Sequence, residues 1–362
     1  MSRACNFSAG PAALPEAVLR RAQSEFLEWR DARASVMEIS HRGKAFMALA
    51  GEIEQRLRRL AAIPEEFAIL FMAGGATAQF ALAPMNLLHG GGRAAFVLTG
   101  NWGEKAWKES QRFAPTDLWA SSAETGFDRI PQLDPDRLHP DTTYVHLTSN
   151  ETIAGVQWHA WPETGGRPLV VDMSSDILSR PVDWGPVGMA YAGAQKNIGP
   201  SGLTLVIIRR DWLERCRKAL VPMVFNYALQ AEQGSMLNTP NTFAWYMVGL
   251  VSEWLEEQGG LEAVAERNRD KARRLYRAID ASAFYRNTVQ PEHRSWMNVP
   301  FRLADDSLDA EFLRRAEAAG LLALKGHRIS GGMRASIYNA MEPACVDRLV
   351  DFMAAFEAEH GG

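Results

Sequence analysis

Residues Tyr191-Ala-Gly-Ala-Gln-Lys-Asn-Ile-Gly-Pro-Ser-Gly202 decide how the rest of the chain is read. They carry one lysine, Lys196, in a run of small residues, and Leu203-Thr-Leu-Val-Ile-Ile208 follows as an apolar, β-branched, strand-like run. Gly199, Pro200 and Gly202 predict a tight turn between the lysine and that strand. A lysine between an apolar segment and a turn is held close to a core. Burial disfavours the ammonium form and lowers its pKa, which suits an amine that attacks a carbonyl.

Upstream, Pro168-Leu-Val-Val-Asp-Met-Ser-Ser175 reads as a buried strand ending in Asp172. Taken singly, Asp172 reads as a loop cap and Lys196 as a snorkelling surface lysine. Together, a strand-end acid and a strand-end lysine on one sheet fit pyridoxal 5′-phosphate. The lysine forms the Schiff base, and the acid pairs with the protonated pyridine nitrogen, the electron sink.

Strands are expected near residues 68, 95, 117, 145, 170, 190 and 205, alternating with helices. That pattern predicts an α/β fold with a mostly parallel seven-stranded sheet and its ligand at the C-terminal strand ends. Helices are expected from Glu16 to about Trp29, from Ala45 to Ala62, and from a start opened by Pro240 to Gln258. Gln258-Gly-Gly260 is the best boundary, giving a large domain over 16–258 and a small α/β domain from 1–15 and 259–362. In the small domain the sequence predicts helices over Leu261–Ala281, 308–319 and 344–359, and a strand over Met333–Tyr338.

Asp172-Met-Ser-Ser-Asp-Ile-Leu-Ser-Arg-Pro181 and Tyr191-Ala-Gly-Ala-Gln-Lys-Asn-Ile-Gly-Pro200 resemble blocks of the phosphoserine aminotransferase family, in the class V branch of fold-type-I pyridoxal-phosphate enzymes. Similar blocks run from Asn6-Phe-Ser8 to Gly331-Gly-Met-Arg-Ala-Ser-Ile-Tyr-Asn339, so the likeness covers nearly the whole chain. The resemblance implies a transaminase that converts O-phosphoserine and 2-oxoglutarate to 3-phosphohydroxypyruvate and glutamate in serine biosynthesis, with a possible extension to pyridoxine biosynthesis. It implies Lys196 and Asp172 as the catalytic pair. It also implies cofactor contacts from Ala76, Thr77, Trp102, Thr152, Gln195, Asn238 and Thr239, and substrate contacts from His41, Arg42, His327, Arg328 and Arg334. His41 and Arg42, and likewise Asn238 and Thr239, would reach the active site of a partner in a homodimer. The usual family pattern has Ser at position 9, where this chain has Ala9, and many members carry Arg at position 77, where it has Thr77.

Each assignment also has a residue-level reading. Gly74-Gly75 before a helix leaves backbone N–H groups aimed at an anion, although such a pair is most often only a turn. Trp102 stands at a strand–helix junction, where it could stack on a ring; any one of eleven tryptophans is more readily core. Thr152 doubles as a loop cap, and Asn238-Thr239 before Pro240 as a helix cap. The Arg fork of Arg42, Arg328 and Arg334 matches phosphate or carboxylate oxygens, whereas an exposed Arg is commonly only solvated. His146 and His159 read as structural or surface histidines.

Composition narrows the field. A net charge of −4 in 362 residues gives no electrostatic case for nucleic acid or an anionic membrane. No apolar run approaches the ~18 residues of a membrane span, and the start lacks the apolar core of a signal peptide, so a cytoplasmic enzyme is expected. Cys5, Cys216 and Cys345 are odd in number and far apart, which predicts a reducing compartment, no disulfide framework and no metal site. Two rival readings remain open. One is another class V enzyme, an alanine–glyoxylate aminotransferase or a cysteine desulfurase. The other is a non-catalytic phosphate or nucleotide binder built on Gly74-Gly75.

Overall fold

The computed structural model describes residues 3–361; positions 1, 2 and 362 of the expected small domain lie outside them. Across the main sheet the strands run Phe67–Met72, Thr204–Arg209, Val187–Gly193, Leu169–Asp172, Thr142–Thr148, Arg93–Leu98 and Thr116–Ser121. All seven coincide with expected strands. Five pair in parallel; Thr204–Arg209 is antiparallel to both of its neighbours. The reason lies in the lysine turn. The link from Gly193 to Thr204 is shorter than the dozen or so residues a parallel crossover needs, so the chain must double back.

Both faces of the sheet are covered, which is why its strands read as continuous apolar runs. Side chains alternate between two cores: Phe67, Ile69 and Phe71 join one, and Ala68, Leu70 and Met72 the other. The first core packs under the helices Lys44–Leu60 and Thr242–Glu257, and the second under Gly75–Leu87. A third core, around Phe301, Phe312 and Phe356, lies beyond the helix Gly260–Asp280 and includes Cys5 and Phe7. There Asn298–Leu303 pairs antiparallel with Met333–Ser336, and Cys5–Asn6 pairs with Leu321–Leu322. The N-terminal segment is thereby fastened to the C-terminal part of the chain.

Four expectations need correction. The first helix runs Glu16–Ser24, short of Trp29. Trp29 instead turns into the core, edge-on to Tyr246 at 6.5 Å, and the next residue, Arg30, takes φ 52°. The long helix starts at Thr242, and its cap is Asn241, whose side chain accepts from Ala244 N–H; Pro240 lies outside it. The strand expected to reach Tyr338 stops at Ser336, because the next carbonyls turn toward Lys271. Finally, Cys5 and Cys345 form a disulfide with Cα atoms 5.5 Å apart. Spacing in sequence concealed a pairing that exists because the first strand and the helix Pro343–His360 share one core. Among the described residues no helix is long and apolar enough to cross a membrane.

Candidate active site

The turn Ala194–Gly202 places Lys196 at the C-terminal edge of the sheet. Gly202 takes φ 98°, which an L side chain rarely adopts, and Ala194 accepts from both Ile198 and Gly199 N–H. Lys196 Nζ donates to Thr152 Oγ1 at 2.7 Å and lies 5.6 Å from the Trp102 ring centre. Burial lowers its pKa to about 8, against the opposing pull of Asp172 and Glu151. Asp172 ends the neighbouring strand, buried, with Oδ1 accepting from Ser174 N–H at 2.9 Å. Burial raises its pKa while the Ser174 bond and the Lys196 charge oppose the rise.

Lys196 and Asp172 open into one cavity of about 280 Å³. Ala76, Thr77, Trp102, Thr152, Gln195, His327 and Arg334 line it too. The strand that ends in Asp172 and the strand that leads into the Lys196 turn are adjacent in the sheet, so both side chains flank a single space.

The walls carry unmet hydrogen-bonding capacity. Gly74 and Gly75 both have positive φ, and the helix Gly75–Leu87 starts without a side-chain cap, so its first N–H groups face the cavity unclaimed by one. Trp102 Nε1, Thr148 Oγ1 and Arg334 Nε are buried without a partner. Arg334 donates from its other arm to the Thr152 carbonyl at 3.3 Å, and burial lowers its pKa. These features fit a group with a phosphate at the helix start, a flat ring against Trp102 and an anionic substrate near Arg334.

Other expected site residues stand apart from this cavity. His41 and Arg42 sit on the surface, 3.4 Å from each other. Asn238 and Thr239 are exposed, and Arg328 is exposed beside His327. Burial and the nearby Arg334 lower the pKa of His327.

Sequence reading passed over Glu151. It is fully buried and accepts from the backbone N–H of Trp102 (3.1 Å) and Gly103 (2.8 Å), at the start of the helix Asn101–Ser110. Gly100 is required there, since a Cβ would lie 2.4 Å from the Glu151 carboxyl carbon. Desolvation raises the Glu151 pKa to about 7 although two N–H bonds oppose it. The available signal was its place in Asn150-Glu-Thr152, directly before a site residue. His146 is structural as expected: it stacks on Phe96 at 4.5 Å and bonds the Tyr191 hydroxyl, and burial lowers its pKa to about 3.

The aminotransferase class-V family model matches residues 4–349. The chain belongs to the phosphoserine aminotransferases of that class. A phosphoserine aminotransferase from Pseudomonas aeruginosa strain LESB58 is 55% identical over 99% of both chains. The structure of the Bacillus circulans subsp. alkalophilus phosphoserine aminotransferase superposes with a TM-score of 0.95 at 46% identity, over 99% of each chain. A pyridoxal-phosphate-bound phosphoserine aminotransferase from Trichomonas vaginalis superposes with a TM-score of 0.92 at 40% identity, over 97% of this chain and all of the other. This class-V aminotransferase is therefore a pyridoxal-phosphate-dependent enzyme of the fold-type-I architecture. A desulfurase reading loses its nucleophile, since Cys216 is buried with its pKa pushed up to about 12 and the other cysteines are bonded to each other.

Proposed function

We propose that the enzyme transfers the amino group of O-phospho-L-serine to 2-oxoglutarate, giving 3-phosphohydroxypyruvate and L-glutamate on the route to serine. The observation that carries this reading is the desolvated Lys196 amine beside Asp172 in one cavity whose rim holds the half-paired Arg334. Bound pyridoxal phosphate supplies an electron-poor ring that takes up the electron pair left at the substrate Cα. Asp172 keeps the ring nitrogen protonated, and Trp102 stacks on the ring. Lys196 Nζ would hold the cofactor at rest and, once displaced by the substrate amine, would carry the proton that leaves the substrate Cα. Thr152 hydrogen-bonds the phenolic oxygen, in the place where its hydroxyl now accepts from Lys196. Ala76, Thr77 and Gln195 hold the cofactor phosphate.

Arg334 clamps the substrate α-carboxylate. His327 and Arg328, with His41 and Arg42 of a second copy, take the distal phosphate or glutamate's distal carboxylate. Asn238 and Thr239 of the second copy reach the cofactor phosphate. The exposed apolar side chains Leu27, Met37 and Met47, near His41 in the chain, support a homodimer with composite sites. We read residues 16–258 as the cofactor domain and 1–15 with 259–362 as the small domain. A phosphorylated substrate that cannot cross a bilayer unaided favours a cytoplasmic site of action. The same chemistry on phosphohydroxythreonine would extend the role to pyridoxine synthesis.

The test is turnover of phosphoserine, serine and alanine with 2-oxoglutarate. A strong preference for phosphoserine is expected; equal turnover of alanine would return the alanine enzyme as the better reading.

A further inference from the structure

The helix Gly260–Asp280 carries a second fully buried lysine, Lys271, that the reaction does not use. Its ammonium donates to three carbonyls: Ile337 at 3.0 Å, Tyr338 at 2.7 Å and Met341 at 3.1 Å. Among the described residues no carboxylate pairs with it; burial and Arg267 lower its pKa to about 7 against the pull of Glu342, and the three carbonyl acceptors favour the protonated form with its three donors. A buried cation without a counter-ion is expensive, and an apolar side chain would fill the same volume at lower cost. What an apolar residue cannot supply is three donors that hold three carbonyls of one loop.

That loop touches both flanks of Lys196. On one side the Tyr338 hydroxyl donates to the Ala9 carbonyl at 2.8 Å. Ala9 and Gly10 line the cofactor cavity, and a Cβ on Gly10 would lie 3.3 Å from Lys196 Cγ, so this segment presses on the lysine stem. On the other side Asn339 N–H donates to Asn197 Oδ1 at 3.0 Å, next in sequence to Lys196. Asn268, one turn before Lys271 on the same helix face, donates to Asn339 Oδ1 at 2.8 Å.

We propose that Lys271 is a positioning residue for Lys196. Through the Ile337–Met341 loop its ammonium fixes the two segments that aim the active-site amine. The inference rests on Lys196 being the cofactor lysine, and it extends that reading into the small domain. Because proton transfer depends steeply on geometry, a small displacement of the stem reaches the turnover step while the substrate-binding groups stay in place.

The decisive variant is Lys271→Met, which keeps the length and removes the three donors. The expected result is wild-type cofactor content, kcat lower by about 10- to 100-fold and KM within about 3-fold. In the enzyme stripped of cofactor, the pH midpoint for acylation of Lys196, read by mass spectrometry, shifts from the wild-type value. Tyr338→Phe, which removes the bond to the Ala9 carbonyl and the acceptor of Asn298 Nδ2 at 3.1 Å, shifts it in the same sense by less, and it decides the matter if Lys271→Met does not fold. Wild-type kcat and wild-type midpoint, with no more than a lower melting temperature, would make Lys271 a structural cation and overturn the proposal. The labelling needs neither cofactor nor substrate. A wild-type chain that ignores phosphoserine would therefore refute the substrate reading and leave the labelling result standing.

Discussion

The floor of the cavity and its expected anion-binding rim are built in opposite ways. On the floor, Asp172, Thr152 and Glu151 are buried, with partners within hydrogen-bond distance, and Lys196 is held at 2.7 Å from Thr152. On the rim, Arg42, Arg328, Asn238 and Thr239 are exposed, and none of the four lines the cavity of its own chain. Groups that must shift pKa or transfer a proton need desolvation and fixed geometry, which one sheet edge supplies. Groups that must receive two different dianions gain from staying hydrated until the substrate arrives. The contrast also separates what one chain completes from what a second copy is expected to add.

The sharpest break comes at the floor. On the proposed roles Lys196→Ala would remove both the cofactor attachment and the proton carrier, and kcat should fall by about 10⁴-fold or more, measured by single-turnover kinetics. Asp172→Asn should keep the fold and cost about 10- to 1,000-fold in kcat, the loss implied by a change of about 1–3 in the ring-nitrogen pKa. If Asp172→Asn left kcat untouched, the acid would be a loop cap after all.

At the rim the effects are smaller and fall on binding. Arg334→Lys gives up the planar fork and should lower kcat/KM by about 10- to 100-fold, as expected for one charge-assisted contact of about 1.5–3 kcal/mol. Arg42→Ala should raise KM for phosphoserine and leave cofactor binding intact. Mixing and re-annealing the Arg42→Ala and Lys196→Ala chains in equal amounts would test whether the rim crosses between copies. Random pairing of a homodimer makes about half the dimers mixed, each with one intact composite site, so activity at phosphoserine well below the raised KM should recover to about a quarter of wild type. No recovery would place the whole site within one chain.

How much of this was legible in the sequence follows the same divide. The seven strands show because both sheet faces are buried, so apolar runs are continuous and bounded by glycine and proline. Asp172 and Lys196 show because they punctuate such runs. The antiparallel direction of Thr204–Arg209 was implicit in the short link before it. Long-range pairings did not show: the Cys5–Cys345 bond and the three carbonyls around Lys271 join residues brought together only by the core around Phe301, Phe312 and Phe356. Glu151 was hidden for another reason. A carboxylate in a strand-end loop looks solvated, and only the approach of the helix Asn101–Ser110 shows that its oxygens meet backbone N–H groups.

Glu151 therefore offers the finest test of how dry the floor is. Its folded pKa, about 7, stands above the ordinary 4.5 because burial outweighs the two N–H bonds. The folded state thus binds more protons than the unfolded one between those values. The associated stability is fully present below pH 4.5 and is lost as pH rises through about 7. Glu151→Gln cannot ionise and escapes that loss. It also surrenders one acceptor for Trp102 or Gly103 N–H, but that cost is the same at every pH. The melting temperature of the Gln variant, relative to wild type, should therefore climb by a few degrees between pH 4 and pH 8, on the order of 3 kcal/mol at about 1.4 kcal/mol per pH unit. Contributions from Asp172, Asp176, His146 and His159 are common to both proteins and cancel in the difference to first order. A flat difference would mean that the helix N-terminus solvates the carboxylate as well as water does.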